Sequence, residues 1–308
     1  MTGPLVVVAL GGNALLRKGQ KGSVEEQWGT TVHAARQLAR IAREGVRLVV
    51  THGNGPQVGM ILEAFEALPR DKPRPTLDIA TAMTQGWLGF LVAHSLDQAL
   101  GETGRTVVVA TRVVVSRGDP AFREPTKYIG SYYSEEEARR LAREKGWIMK
   151  PDPRKGWRRV VPSPDPLHVV EHDSIRSLAL QGKIVVAVGG GGIPVDESLQ
   201  PVEAVIDKDL ASSLLARQIG ADRLIILTDV PGVAVNYGRP GEKWLERVSV
   251  SELEHLYAEG HFPPGSMGPK VLAAIRFTRE TGKPSSIGLL EEAYEVYKGL
   301  RGTQVLPE

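Results

Sequence analysis

The chain has 308 residues, 42% hydrophobic and 24% charged, the balance of a globular protein of two domains or one large one. That composition excludes a disordered chain, a collagen and a small disulfide scaffold. Lysine plus arginine number 38 against 36 acidic residues, a net charge of +2. The pI of 8.7 therefore reflects near balance; it gives no support to nucleic-acid binding but leaves room for a local cationic pocket.

Cysteine is absent, which excludes disulfides, thiolate zinc sites and a Cys nucleophile. The opening MTGPLVVVALGGNALL lacks the basic start and unbroken apolar run of a signal peptide. No stretch approaches the roughly 18 apolar residues of a membrane span. A cytoplasmic location without membrane partners is the expectation.

In chain order, LVVVAL at Leu5–Leu10 predicts a buried strand, followed by the turn Gly11-Gly12-Asn13. Apolar spacing over 30–44 predicts a helix stopped by Gly45. VRLVVT (46–51) predicts a second strand, followed by His52-Gly53-Asn54-Gly55. Helices are predicted over 56–68 and 79–100, then a strand over 106–115. KIVVAV (183–188) predicts a strand ending in four glycines, 189–192. A helix over 207–219, a strand over 223–227 ending at Thr228-Asp229, and a helix over 270–281 complete the pattern. Strands apolar throughout need cover on both faces, so the fold class is α/β with a mainly parallel sheet. The segment 119–166 breaks the rhythm and exceeds an ordinary loop. It predicts an inserted lid or subdomain, with Tyr128, Tyr132, Tyr133, Trp147 and Trp157 as a small core.

Three glycine turns thus follow strand ends, the edge at which open α/β sheets bind ligands. Glycine lets backbone amides approach an anion, and a following helix adds its N-terminal partial charge. Asn13 and Asn54 add donors there or cap helices. There is no GxxxxGK[ST] loop and no GxGxxG after a strand, which disfavours the usual phosphate-loop and dinucleotide sites. No HExxH pair or GxSxG elbow occurs either. Lys127 sits in the insert, and Lys208 and Lys270 sit at helix starts, where a cation opposes the helix dipole. A bound polyanion explains that placement, although each lysine alone would pass as a solvated surface residue. Asp209 could orient a lysine, hold Mg²⁺ or cap its helix. His52 is the histidine nearest the predicted site, and Tyr237 could stack on a base or simply pack.

The segments ALGGNALL (9–16), VTHGNGPQVG (50–59), LDIATAMTQGWLG (77–89), PTKYIG (125–130), GWRRVVPSPDP (156–166), VAVGGGGIPV (186–195), VIDKDLAS (205–212) and PPGSMGPKV (263–271) together resemble the amino acid kinase family, and its carbamate kinase branch in particular. The glycine motifs belong to the whole family. THGNGPQVG, PTKYIG and GWRRVVPSP are similar to the carbamate kinase branch.

The resemblance implies a three-layer αβα sandwich plus a small protruding subdomain at 119–166. It implies an acceptor lobe over 1–118 with parts of 167–200, a nucleotide lobe over 167–308, and a homodimer with a continuous sheet. The implied reaction is reversible: ATP and carbamate give ADP and carbamoyl phosphate, often run toward ATP at the end of arginine or allantoin breakdown. Transfer would be in line, without a covalent intermediate. Gly11, Gly12, Asn13, Gly53, Asn54 and Gly55 would bind acceptor and phosphoryl; Lys127, Lys208, Asp209 and Lys270 would be catalytic. Gly190, Gly191, Thr228, Asp229, Tyr237 and Met267 would line the nucleotide pocket. Mg²⁺ would accompany ATP or ADP, held mainly by phosphates, with no protein metal site. LTDVPGV (227–233) is closer to the turn of acetylglutamate kinases. That leaves the adenine contacts, Tyr237 among them, open. The rivals are another kinase of the same family, such as an acetylglutamate kinase, against which the insert bearing Lys127 counts, and a non-catalytic nucleotide sensor.

Overall fold

The computed structural model describes residues 3–12, 15–16, 19–20, 22–69, 71–152 and 156–308. The N-terminal half runs β1 (Leu5–Leu10), α1 (Val24–Ala42), β2 (Arg47–His52), α2 (Gly55–Glu66), α3 (Leu77–Leu100), β3 (Thr106–Val108) and β4 (Arg112–Val114). The insert follows as β5 (Lys127–Tyr133), α4 (Glu135–Lys145), β6 (Met149–Pro151) and β7 (Trp157–Val161). Next come β8 (His168–Val169), α5 (His172–Leu180), β9 (Ile184–Val186), β10 (Ile193–Val195) and α6 (Lys208–Gln218). The chain ends with β11 (Arg223–Thr228), β12 (Val233–Val235), β13 (Lys243–Leu245), β14 (Arg247–Ser249), α7 (Val250–Ala258), α8 (Met267–Thr281), β15 (Ser285–Leu289), α9 (Ala293–Tyr297) and β16 (Thr303–Leu306).

The central sheet has the order β14-β16-β15-β11-β1-β2-β9-β3. Its neighbours pair in parallel except β15 and β16. All six residues of β1 are buried, because alternate side chains enter different layers. Leu5, Val7 and Ala9 join a core with Ile175, Leu215 and Phe277 from α5, α6 and α8. Val6, Val8 and Leu10 join a second core with Leu38, Leu88 and Val296 from α1, α3 and α9. Each buried aliphatic side chain contributes roughly 1.5–3 kcal/mol, so the two cores fix the order of the three layers. This is the αβα sandwich of the sequence reading.

Two expectations fail. The run 106–115 is two strands in different sheets, β3 at the edge of the large sheet and β4 beside β10 and β8. Gln85 separates them: its side chain accepts from the Thr111 amide at 2.8 Å and donates to the Thr111 carbonyl at 3.1 Å. The insert does fold on itself, with a β5-β7-β6 sheet and α4, but its five aromatics are not its core. Its buried aliphatic residues are Ile129, Ala138, Leu141, Val160 and Val161. The aromatics instead meet cations: the Arg158 guanidinium lies 4.9 Å from the Tyr132 ring and that of Arg159 lies 4.7 Å from Trp147.

Candidate active site

Parallel pairing brings the ends of β1, β2 and β11 to one edge, since Leu10 is in register with both His52 and Leu227. The chain then turns away from the sheet three times within reach of one cavity. That cavity has a volume of about 990 Å³, and its lining includes Gly11, Gly12, Gly53, Asn54, Gly55 and Gly190. Lys127, Lys208, Lys270, Thr228 and Asp229 also line it.

The glycine amides divide into two groups. Gly11 N–H donates to the Leu227 carbonyl at 3.0 Å and Gly53 N–H to the Leu10 carbonyl at 3.1 Å. These two amides extend the sheet ladder and are not available to an anion, contrary to their expected part in a cradle. Gly55 opens α2, so its amide is one of the four that a helix leaves without an intrahelical partner. The glycines after β9 carry a steric load. Gly190 has a φ of 67°, and a Cβ there would lie 2.1 Å from the Asn54 side-chain nitrogen. Gly191 has a φ of 91°, and its Cβ would lie 2.3 Å from the Ile206 carbonyl oxygen. No side chain fits at either position, so the turn closes tightly on Asn54. Val188 just before it has a φ of 52°, a left-handed conformation that a β-branched residue rarely adopts. The predicted strand over 183–188 therefore ends early, at Val186. Asn54 is buried and donates to the Thr84 hydroxyl at 2.8 Å.

The cations gather around two carboxylates. Asp209 is buried and pairs with Lys208 through one oxygen and with Lys270 through the other, the latter at 3.2 Å. Asp207 caps α6, its Oδ1 accepting from the Asp209 amide at 2.9 Å. Its Oδ2 meets the Lys127 ammonium at 2.8 Å. Burial pulls the Lys208 ammonium below its ordinary pKa, with Lys270 adding repulsion against the opposing pull of Asp209. Burial also acts against the Lys270 charge, but Asp209 and Asp207 outweigh it and raise that pKa. Burial likewise opposes the charge on Asp207, yet Lys127 and Lys208 hold its pKa down to about 2. His52 is buried beneath the site and bonds the Gly53 carbonyl at 3.0 Å through Nδ1. Desolvation, reinforced by Lys208, lowers its pKa to about 4, so the ring is neutral near pH 7.

Not every candidate lines the cavity. Tyr237 is exposed and packs edge-on to Trp244 at 5.9 Å, and Met267 opens α8 against the buried core. Asn13 lies outside the described residues. The cavity also draws on Arg158 of the GWRRVV segment, on β7, and on residues the motif reading passed over: Glu63 from α2, Ser131 from β5, and Glu291. Asp207 was visible only as a flank of Lys208. Its bond to Lys127 spans 80 positions, beyond any local pattern.

A model described as the amino acid kinase family matches residues 4–288. The chain belongs to the amino acid kinase family. Within that family it is 51% identical to a carbamate kinase of Pyrococcus furiosus, covering 99% of this chain and 100% of the relative. It is 45% identical to a carbamate kinase of Trichomonas vaginalis, covering 98% and 99% of the two chains. A solved carbamate kinase from Giardia lamblia, bound to AMP-PNP, is 41% identical and aligns with a TM-score of 0.93 over 100% of this chain and 99% of that one. An N-acetylglutamate synthase from Neisseria gonorrhoeae shares only the fold, at 16% identity and a TM-score of 0.59 over 99% of this chain and 60% of that one. The amino acid kinase fold thus accounts for the sheet edge, and the high-identity relatives narrow the branch.

Proposed function

We propose that this chain catalyses reversible phosphoryl transfer between ATP and carbamate, giving ADP and carbamoyl phosphate and, in the catabolic direction, ATP. One observation carries the reading: Lys127, Lys208 and Lys270 meet beside glycine turns at one cavity, in a chain related over nearly its full length to carbamate kinases. Such a site suits a phosphoryl group in flight, which needs charge neutralisation and alignment more than covalent chemistry.

In this reading the acceptor lies against Gly12, Asn54 and Gly55. The nucleotide lies toward Thr228, Asp229 and α8. Lys208 neutralises the moving phosphoryl, Lys270 the β- and γ-phosphates, and Lys127 covers the group from the insert. Asp209 holds two of these ammonium groups in place beforehand, so little reorganisation is needed as charge shifts between oxygens. Among the described residues no three His, Asp or Glu side chains gather to hold a metal ion. A Mg²⁺ arriving with ATP or ADP would take its ligands mainly from phosphate oxygens and water, as such ions commonly do. It would supply further neutralisation of the β- and γ-oxygens.

The division into an acceptor lobe (1–118 with parts of 167–200), an insert (119–166) and a nucleotide lobe (167–308) belongs to the same proposal. So does a homodimer: Ile79, Met83 and Phe90 are exposed along α3, near exposed Val108 on edge strand β3. No helix among the described residues is long and apolar enough to cross a membrane.

The test is a coupled assay with two arms. ATP formation from ADP and carbamoyl phosphate should be rapid, and ATP consumption with acetylglutamate negligible. Turnover in the second arm alone would transfer the chain to a different acceptor. ADP binding without turnover in either would make it a sensor.

A further inference from the structure

Strand β5 forms one wall of the cavity, to which 127–131 contribute every residue. At one end, the Ser131 hydroxyl donates to Glu63 of α2 at 2.6 Å. At the other, the Lys127 ammonium donates to Asp207 at 2.8 Å. The strand therefore crosses the cavity between the helix that follows β2 and the start of α6. The Asp207 carboxylate works on both sides of that junction. Its Oδ1 accepts from the Asp209 and Leu210 amides at 2.9 and 3.4 Å, and its Oδ2 holds Lys127.

We infer that Asp207 is a positioning residue, which docks the insert on α6 by holding the Lys127 ammonium at a fixed place beside the α6 N-terminus. It touches no reacting atom. A phosphoryl group entering the cavity finds Lys127 already directed at the α6 N-terminus, and it shares that ammonium with Asp207. Without the carboxylate the lysine is a flexible four-carbon chain on a strand edge. Asp207 is mostly buried while Lys127 is over a third exposed, so the pair is screened on one side only, and it outlasts a surface ion pair. The burden falls on the phosphoryl-bearing substrate and spares ADP, which the proposed reading places toward Thr228, Asp229 and α8 instead of β5.

The inference rests on the carbamate kinase reading, so turnover of the unaltered enzyme is measured first. Its absence would sink that reading. With turnover established, the test is a double-mutant cycle on Asp207→Asn and Lys127→Ala. Asparagine caps a helix as well as aspartate does, so α6 keeps its start while Lys127 loses its anion. Asp207→Ser, which caps but is too short to reach Lys127, serves as a second variant with the same expectation. Each should lower kcat/KM for carbamoyl phosphate about tenfold, the effect of losing one charged hydrogen bond, and leave the KM for ADP within about twofold. The double variant should be no worse than Lys127→Ala alone, within about twofold, because Asp207 acts only through that lysine. Losses that multiply in the double variant would overturn the inference and assign Asp207 to α6 stability. Parent-like kcat/KM in both single variants, or an equal rise in the KM for ADP, would overturn it as well.

Discussion

Asp209 touches two ammonium groups with its two oxygens, and removing it would leave both Lys208 and Lys270 buried without their common anion. Burying a charge is costly unless it is paired, so the site depends on this carboxylate before any substrate arrives. His52, under the same turn, does the opposite: it is buried as a neutral ring. Its pKa falls from 6.5 to about 4 on folding, so between those values the unfolded chain binds more protons than the folded one. That contribution to stability is complete above about pH 6.5 and is lost as pH falls toward 4, by about 3 kcal/mol in all. Asp207 adds no slope in that window, because its depressed pKa takes effect only below about pH 4. The expected outcome is a Tm that drops more between pH 7.5 and pH 5 in the parent than in His52→Asn. Equal drops would show that the ring charges freely in the folded state.

The glycine turns and the apolar strands were legible in the sequence because both are local: a run of valines needs burial on two faces, and a following glycine ends it. The large helices were legible for the same reason. What the sequence concealed was long-range. A side chain from α3, Gln85, interrupts 106–115 by bonding both backbone groups of Thr111, and no periodicity within TVVVATRVVV marks the break. In the insert, Ser134 and Glu137 form a reciprocal cap that starts α4. That spacing was readable but was obscured by the density of charge around it. The aromatics of the insert suggested a core; instead they stay half-buried or exposed, with cations over Tyr128, Tyr132 and Trp147. At the site, the lysines stood out by position, whereas the partners Asp207, Glu63 and Ser131 are defined only by tertiary contact. The exposed apolar stripe of α3 belongs to this scale too. Phe90 packs on Trp28 at 5.6 Å and faces outward, so Phe90→Glu should convert the proposed dimer to monomer in sedimentation velocity with far-UV CD unchanged. A parent that sediments as a monomer at micromolar concentration would remove the dimer from the account.

Across the whole molecule, a nearly neutral chain concentrates its functional charge at one edge of one sheet. The two cores hold β1, β2 and β11 in register; the register sets the turns side by side; α6, α8 and the insert each bring one ammonium to the same cavity. The similarity to carbamate kinases extends over this entire arrangement, insert included. Its consequence is that a single cation should matter far more for turnover than for folding. The most direct measurement is kcat for ATP formation by Lys208→Ala, with ADP affinity followed by calorimetry on the same preparation. A loss of at least about 100-fold, the scale of one preorganised electrostatic group, with ADP affinity retained, is the predicted result. A kcat within threefold of the parent would contradict the claim that these ammonium groups stabilise the migrating phosphoryl.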